Sequence, residues 1–244
     1  MNDSLEPSVS PSRRKSLSKV PGLVDANNIR VAVRIRPFSA KELSEGNEDT
    51  VLDFFGTTIS AKSLDRYGME SEYIKERNYA FDVVFGKPEV TQLQVFEELG
   101  TPILENAMEA YNGCIMAYGQ TGSGKSYSML GDPTSEVEKG ILPRACEMLF
   151  DLIERQREAA LAAGTPVQIT VLASYLEIYQ ENLFDLLVNT RTNLQVRLHP
   201  TLGPHVPGLT ESPVVDIDQV RELLDFGAKN RAVGATSMNA HSSR

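Results

Sequence analysis

Long apolar runs are missing from this 244-residue sequence. None approaches the roughly 18 residues that a membrane-spanning helix needs, and the N-terminus is polar rather than built like an export signal. The expectation is a chain that neither spans a membrane nor is secreted. Cysteine is scarce: Cys114 and Cys146 are the only two, too few for a disulfide framework. Both lie in apolar surroundings, which predicts buried, reduced thiols and a reducing compartment. Positive charge is in deficit, with 24 Lys+Arg against 33 Asp+Glu and a formal charge of −9. The chain as a whole therefore offers no basic footprint for nucleic acid or anionic lipid. No internal repeat is present.

What is there reads as a folded domain. Hydrophobic residues make up 41% and charged residues 23%, close to globular averages, and the length suits one large domain or a domain with appendages. Residues 1–26 stand apart. They are rich in Ser and Pro, carry the basic cluster Arg13, Arg14 and Lys15, and lack apolar periodicity, so they are expected to be a disordered arm. Arg13-Arg14-Lys15-Ser16 fits either a basophilic phosphorylation site or a merely solvated basic tail.

From residue 29 onward the periodicities alternate. Residues 29–35 follow a period of two and end at Pro37, which predicts a first strand. Short extended pieces follow at 51–55 and 57–61, then a strand at 81–85. Val95, Phe96, Leu99, Ile103, Leu104, Ala107 and Met108 fall at helical steps within 91–111, with Pro102 expected to kink or break the helix near Gly100. The apolar run 114–118, bounded by Gly113 and Gly119, predicts a strand buried on both faces. A helix begins after Gly124, is interrupted over 131–140 and resumes through Ile141, Leu142, Ala145, Met148, Leu149, Leu152 and Ile153. Strands are expected at 167–175 and around 194–198, and a last helix carries Ile217, Val220, Leu223 and Leu224. Strands alternating with helices indicate an α/β fold.

The motif that carries chemistry is Gly119-Gln120-Thr121-Gly122-Ser123-Gly124-Lys125-Ser126, which fits G-x-x-x-x-G-K-[ST] between an apolar extended run and a helical pattern. Glycines let the backbone curl until successive N–H groups face phosphate oxygens, and the helix start adds partial positive charge. Lys125 supplies a full charge to the β- and γ-phosphates, and the Ser126 hydroxyl is a hard oxygen ligand for Mg²⁺. The defined positions coincide by chance in a chain of this length on the order of one time in a hundred. A dinucleotide fingerprint fails because Tyr127 stands where the third glycine belongs. No Asn-Lys-x-Asp segment follows the loop, so adenine is preferred over guanine. His199, His205 and His241 are spaced too irregularly to suggest a metal site and read as solvated loop residues.

Five blocks in order make the sequence resemble the kinesin motor domain: Arg34-Ile35-Arg36-Pro37; Tyr111-Asn112-Gly113; the phosphate loop continuing into Tyr127-Ser128-Met129; Ser174-Tyr175-Leu176-Glu177-Ile178-Tyr179 with Asp185-Leu186-Leu187; and Asn239-Ala240-His241-Ser242-Ser243-Arg244. The resemblance assigns residues 27–244 to a partial motor domain, and Arg197-Leu198-His199-Pro200-Thr201-Leu202-Gly203-Pro204 looks most like the kinesin-3 branch. It implies a P-loop NTPase-type fold with a mostly parallel central sheet and helices on both faces, incomplete at the C-terminal side.

The resemblance also implies roles. ATP and Mg²⁺ are the implied cofactors, with Gly119, Gln120, Thr121, Gly122, Ser123, Gly124, Lys125 and Ser126 around the phosphates. Arg34 and Pro37 would sandwich the adenine, helped by Tyr111, and Tyr127 extends the platform. Asn239, Ser242, Ser243 and Arg244 match the first nucleotide-sensing switch, with Ser126 and Ser243 near the metal and Ser242, Ser243 and Arg244 near the hydrolytic chemistry. The implied activity is ATP hydrolysis coupled to movement along microtubules, with a cytoplasmic, cytoskeletal location.

The second switch, the main microtubule-contacting helix, the neck linker and coiled-coil heptads are not found in these residues. Asp53-Phe54-Phe55-Gly56 and Asp65-Arg66-Tyr67-Gly68 match the second switch in letters only. The expectation is therefore weak nucleotide binding and very slow turnover by these residues alone, with any residual microtubule contact near 197–205. Direction of movement, cargo and oligomeric state are not encoded here. The rival reading is a truncated non-motor product, or an incomplete gene model, that binds nucleotide or a partner chain without ATPase activity.

Overall fold

The structure is a computed structural model that describes residues 29–46, 51–63, 75–86, 89–201 and 203–235. The 1–26 arm, the 65–68 look-alike and the 239–244 segment lie outside the described residues. The chain divides into two compact units, one of Met1–Val33 with Thr50–Val84, the other of Arg34–Asp49 with Phe85–Arg244.

Strand β1 (Ala32–Arg34) pairs with β5 (Val83–Phe85). Val83 N donates to Val31 O and Ile35 N donates to Phe85 O, so the two strands run parallel. In the first unit β2 (Leu52–Phe55), β3 (Thr58–Ser63) and β4 (Lys75–Ala80) form an antiparallel sheet in that order. Phe55 pairs with Thr58, and Gly56 at φ 58° supplies the left-handed turn between them. Asp53-Phe54-Phe55-Gly56 is thus a strand and its turn. Ile59 is the buried apolar residue of this sheet.

The second unit is helical where the period of 3.6 predicted it, and a short helix at 40–44 adds one that the periodicity did not indicate. Helix α1 (Ala40–Ser44) starts at a Ser39/Glu42 capping box, and α2 (Gln92–Met108) at a Thr91/Gln94 capping box. The expected break at Pro102 does not occur; α2 runs through it. A proline inside a helix costs about 3 kcal/mol, and here α2 is held along its length by packing on α4 (Ile141–Ala162), with Val95, Phe96, Ile141 and Ile153 buried. Gly100 is a packing residue rather than a breaker, since a Cβ there would collide with the Phe96 ring. Helix α3 (Lys125–Met129) is one short turn after the glycine loop, and α5 (Ile217–Ala235) packs on α4. None of the described helices is long and apolar enough to cross a membrane.

The strands of the second unit form small antiparallel sheets. β6 (Val171–Ala173) pairs with β12 (Ser212–Val214), β7 (Leu176–Tyr179) with β8 (Asn182–Asp185), β8 with β9 (Asn193–Leu194), and β10 (Arg197–His199) with β11 (Gly203–His205). The block around 174–187 proves architectural. Asp185 is buried, and its carboxylate accepts Leu187 N and Thr210 N at 2.8 Å each. Asn230 on α5 donates to the carbonyls of Leu186 and Val188.

One expectation fails outright. Residues 114–118 form no strand; Met116 is 81% and Tyr118 96% exposed, and Cys114 is exposed rather than buried. A strand requires a neighbour for its N–H and C=O groups, and among the described residues none pairs with this run. Cys146, on α4, is partly buried, and burial pushes its thiol up from the ordinary range.

Candidate nucleotide site

The glycine loop is curled. Gly119, Gly122 and Gly124 have φ of 152°, 81° and 95°, backbone that side-chain-bearing residues rarely adopt. A Cβ on Gly119 would lie 2.5 Å from Ser123 Oγ, so the loop closes tightly on itself at that point. Ser123 N donates to Gln120 O at 3.2 Å, and Ser128 N to Gly124 O at 2.9 Å as α3 begins. Lys125 turns its amine back across the loop and donates to the carbonyls of Gly119 and Gln120, both at 2.8 Å. Ser123 Oγ is buried without a hydrogen-bond partner, and Thr121, Gly122 and Ser126 are exposed.

Beside the loop, Arg34 and Tyr127 meet. The guanidinium carbon lies 5.1 Å from the centre of the tyrosine ring, a cation–π distance. Arg34 also donates to Gln92 Oε1 at 2.7 Å, Ser128 Oγ at 3.1 Å and Val90 O at 3.5 Å. The Tyr127 hydroxyl donates to the Glu138 carboxylate, and this bond, with burial second, raises the phenol above its ordinary range.

Glu138 belongs to the 131–140 loop, whose ends are tied by a Gly131 to Lys139 bridge and by Gly140 N donating to Leu130 O at 3.0 Å. Lys139 lies between Glu136 and Glu147, and Arg221 of α5 reaches Glu147 at 3.4 Å. These contacts fasten the loop to α4 and α5.

Pro37 is exposed and lies where the chain enters α1. Its neighbour Arg36 forms a bidentate pair with Glu42, at 2.9 and 2.7 Å. That pair, together with the Ser39 backbone and hydroxyl, holds the Glu42 carboxyl down at about 2. Tyr111 is exposed at the exit of α2 and makes no ring contact with Tyr127; among the described residues the one ring pair is His199 with His205.

Those two histidines, which the sequence presents as separate loop residues, are brought together by the β10–β11 hairpin with centroids 5.5 Å apart. Among the described residues no group of three His, Cys, Asp or Glu side chains is placed to hold a metal ion.

Gln92 and Glu138 escaped the sequence reading. Gln92 did carry a signal: it sits three and four residues before Val95 and Phe96, on the face of α2 that the apolar pattern buries. Glu138 carried none, because a carboxylate in a polar loop looks solvated.

The comparisons with known proteins agree with the five blocks. A family model described as kinesin motor domain matches residues 34–244. The chain is 43% identical over 222 residues to the kinesin-like protein unc-104 of Caenorhabditis elegans, covering 89% of this chain and 13% of that protein. It is 37% identical over 227 residues to the kinesin-like protein KIF1A of Rattus norvegicus, covering 89% and 12%. A kinesin heavy chain of Syncephalastrum racemosum is 38% identical over 223 residues, covering 91% and 22%. The chain thus spans between about an eighth and just under a quarter of the length of these relatives. Unc-104 and KIF1A stand on the kinesin-3 branch indicated by residues 197–204. With the family match extending from Arg34 through the curled glycine loop to Arg244, the chain belongs to the kinesin motor domain family.

Proposed function

We propose that this chain is the nucleotide-binding part of an ATP-driven microtubule motor, binding ATP at the 119–126 loop. The observation that carries the reading is the Lys125 amine lying across the loop on the carbonyls of Gly119 and Gln120. There it stands ready to exchange two neutral acceptors for phosphate oxygens, a stronger, charge-assisted pairing. Arg34, with its guanidinium over the Tyr127 ring, and Tyr127 itself are the planar groups offered to adenine, with Pro37 and Tyr111 as further candidates from exposed segments. The central sheet of the complete domain is mostly parallel with helices on both faces, and the complete motor works on microtubules in the cytoplasm.

The donor set suits Mg²⁺. Ser126 offers an exposed hydroxyl in the first turn after the loop, and Ser123 Oγ is an oxygen still lacking a partner; hard oxygens of this kind, with phosphate, are what Mg²⁺ takes. Ser126 is the ligand among the described residues, and Ser243 its companion in the first switch. An ion held there would supply positive charge to offset that of the phosphates. Ser242, Ser243 and Arg244 are the proposed residues of the hydrolytic step.

The test is binding of a fluorescent ATP analogue to the chain, followed by phosphate release with and without microtubules. Saturable binding displaced by ATP is the expected result. Microtubule-stimulated turnover by these residues alone would mean that they carry the full motor cycle, whereas binding without turnover matches a nucleotide-binding piece. Failure to bind ATP at millimolar concentration overturns the proposal.

A further inference from the structure

We infer that Gln92 is the positioning residue for the base-binding surface: its buried amide sets Arg34 against Tyr127 and so controls affinity for the nucleoside part of the ligand, apart from the phosphates. The inference rests on the proposed ATP-binding reading and deepens it.

Gln92 is only 2% exposed, the largest fully buried side chain among the described residues, and all of its amide is engaged. Oε1 accepts from Arg34 at 2.7 Å, while Nε2 donates to Tyr127 O at 2.7 Å and to Glu138 O at 3.4 Å. The orientation is dictated. A flipped amide would set NH₂ against the guanidinium donors and oxygen against two carbonyls, leaving buried groups unsatisfied.

Three chain segments therefore converge on one side chain: the end of β1 through Arg34, the phosphate-loop helix through Tyr127, and the 131–140 loop through Glu138. The tyrosine ring is tethered at both ends by this arrangement. Its backbone carbonyl is held by Gln92, and its hydroxyl donates to Glu138, whose own carbonyl meets the same amide. Arg34 has two further partners, Ser128 Oγ on α3 at 3.1 Å and Val90 O at 3.5 Å, but the bond to Gln92 is the shortest of the three, and Gln92 alone of these partners also holds the Tyr127 carbonyl. The 119–126 loop, by contrast, is closed by its own contacts, Lys125 to Gly119 and Gln120 and Ser123 to Gln120. Gln92 contributes nothing to those.

The test compares ATP with inorganic tripolyphosphate, which has the charge but no base, by isothermal titration in Mg²⁺ buffer on the 244-residue chain. Gln92→Met preserves length and apolar volume while removing all three bonds. The expected result is an ATP affinity lower by about tenfold, the weight of one charge-assisted hydrogen bond, with tripolyphosphate affinity changed less than about twofold. In an Arg34→Met background the same Gln92→Met change is expected to cost about threefold or less, since only its hold on the carbonyls of Tyr127 and Glu138 is left to lose.

Equal losses for ATP and tripolyphosphate, unchanged ATP affinity, or full additivity on the Arg34→Met background would each overturn the inference. If the unsubstituted chain binds tripolyphosphate but not ATP, the nucleotide reading itself fails, and the two failures are distinguishable.

Discussion

The amine of Lys125 lies 2.8 Å from the carbonyl oxygen of Gly119, six residues upstream, and spans the mouth of the loop it terminates. With the second bond to Gln120, the lysine keeps the loop curled by satisfying carbonyls that the glycine conformations leave pointing inward. It is thus a strut of the loop, and in the proposed reading it is also the phosphate ligand. Lys125→Met is expected to weaken tripolyphosphate and ATP alike by about 10- to 100-fold, the equivalent of one charge-assisted bond, measured by titration calorimetry. Equal treatment of the two ligands separates this residue from Gln92, whose loss falls on ATP alone. Unchanged tripolyphosphate affinity would remove Lys125 from the phosphate site.

Tyr127 is expected to ionise late. Its hydroxyl donates to the Glu138 carboxylate, which favours the protonated phenol, and burial acts in the same direction. A group whose folded value is raised adds stability that is fully present below the unfolded value, here the ordinary 10.0, and is lost as pH climbs through the folded value. Tyr127→Phe should therefore cost a constant amount, about 1 kcal/mol or less for so exposed a bond, from pH 7 to 9. The difference should shrink above pH 10. Urea denaturation of both proteins across that range measures it, and a pH-independent difference would show that the carboxylate does not hold the phenol.

How much of this was legible in the letters depends on whether a residue's partner is local. The glycine loop and the start of α4 after Gly140 depend on neighbours a few positions away, and the sequence displayed them; the capping boxes at Ser39 and Thr91 are equally local but escaped the sequence reading. The β10–β11 hairpin brought His199 onto His205, which irregular spacing concealed. The break offered as one outcome at Pro102 does not occur, because propensity is a local cost that packing of α2 on α4 overrides. The 114–118 run was misread because apolar composition reports a capacity for burial, not a partner. Gln92 joins residues 35 and 46 positions away, and no local pattern specifies such a meeting.

Thiol labelling tests the altered picture of 114–118. Cys114 is exposed, whereas Cys146 is partly buried and its thiol is pushed up by burial first and by the Glu147 charge second. The thiolate is the reactive form, so both burial and the raised thiol value slow Cys146. A maleimide at pH 7 should label Cys114 at least about tenfold faster than Cys146, as read by peptide mass spectrometry against Cys114→Ser and Cys146→Ser controls. Equal or inverted rates would mean that 114–118 is covered in solution.

The closure of the 131–140 loop rests on glycine, and two glycines of similar conformation separate strain from contact. Gly131 has φ 79° and Gly46 φ 82°. A Cβ on Gly46 would meet nothing within 4 Å, whereas one on Gly131 would collide with the Glu138 carbonyl and lie 2.8 Å from the Lys139 carbonyl carbon. Gly46→Ala should cost only the left-handed backbone penalty, about 1 to 2 kcal/mol. Gly131→Ala adds overpacking and should cost about 2 to 4 kcal/mol in urea denaturation. The larger substitution also moves Glu138, so the Tyr127 phenol in Gly131→Ala should titrate nearer its ordinary value, as followed by absorbance at alkaline pH. Equal costs at the two glycines, with Tyr127 unchanged, would mean that the loop does not close on Gly131 and that Glu138 is held from elsewhere.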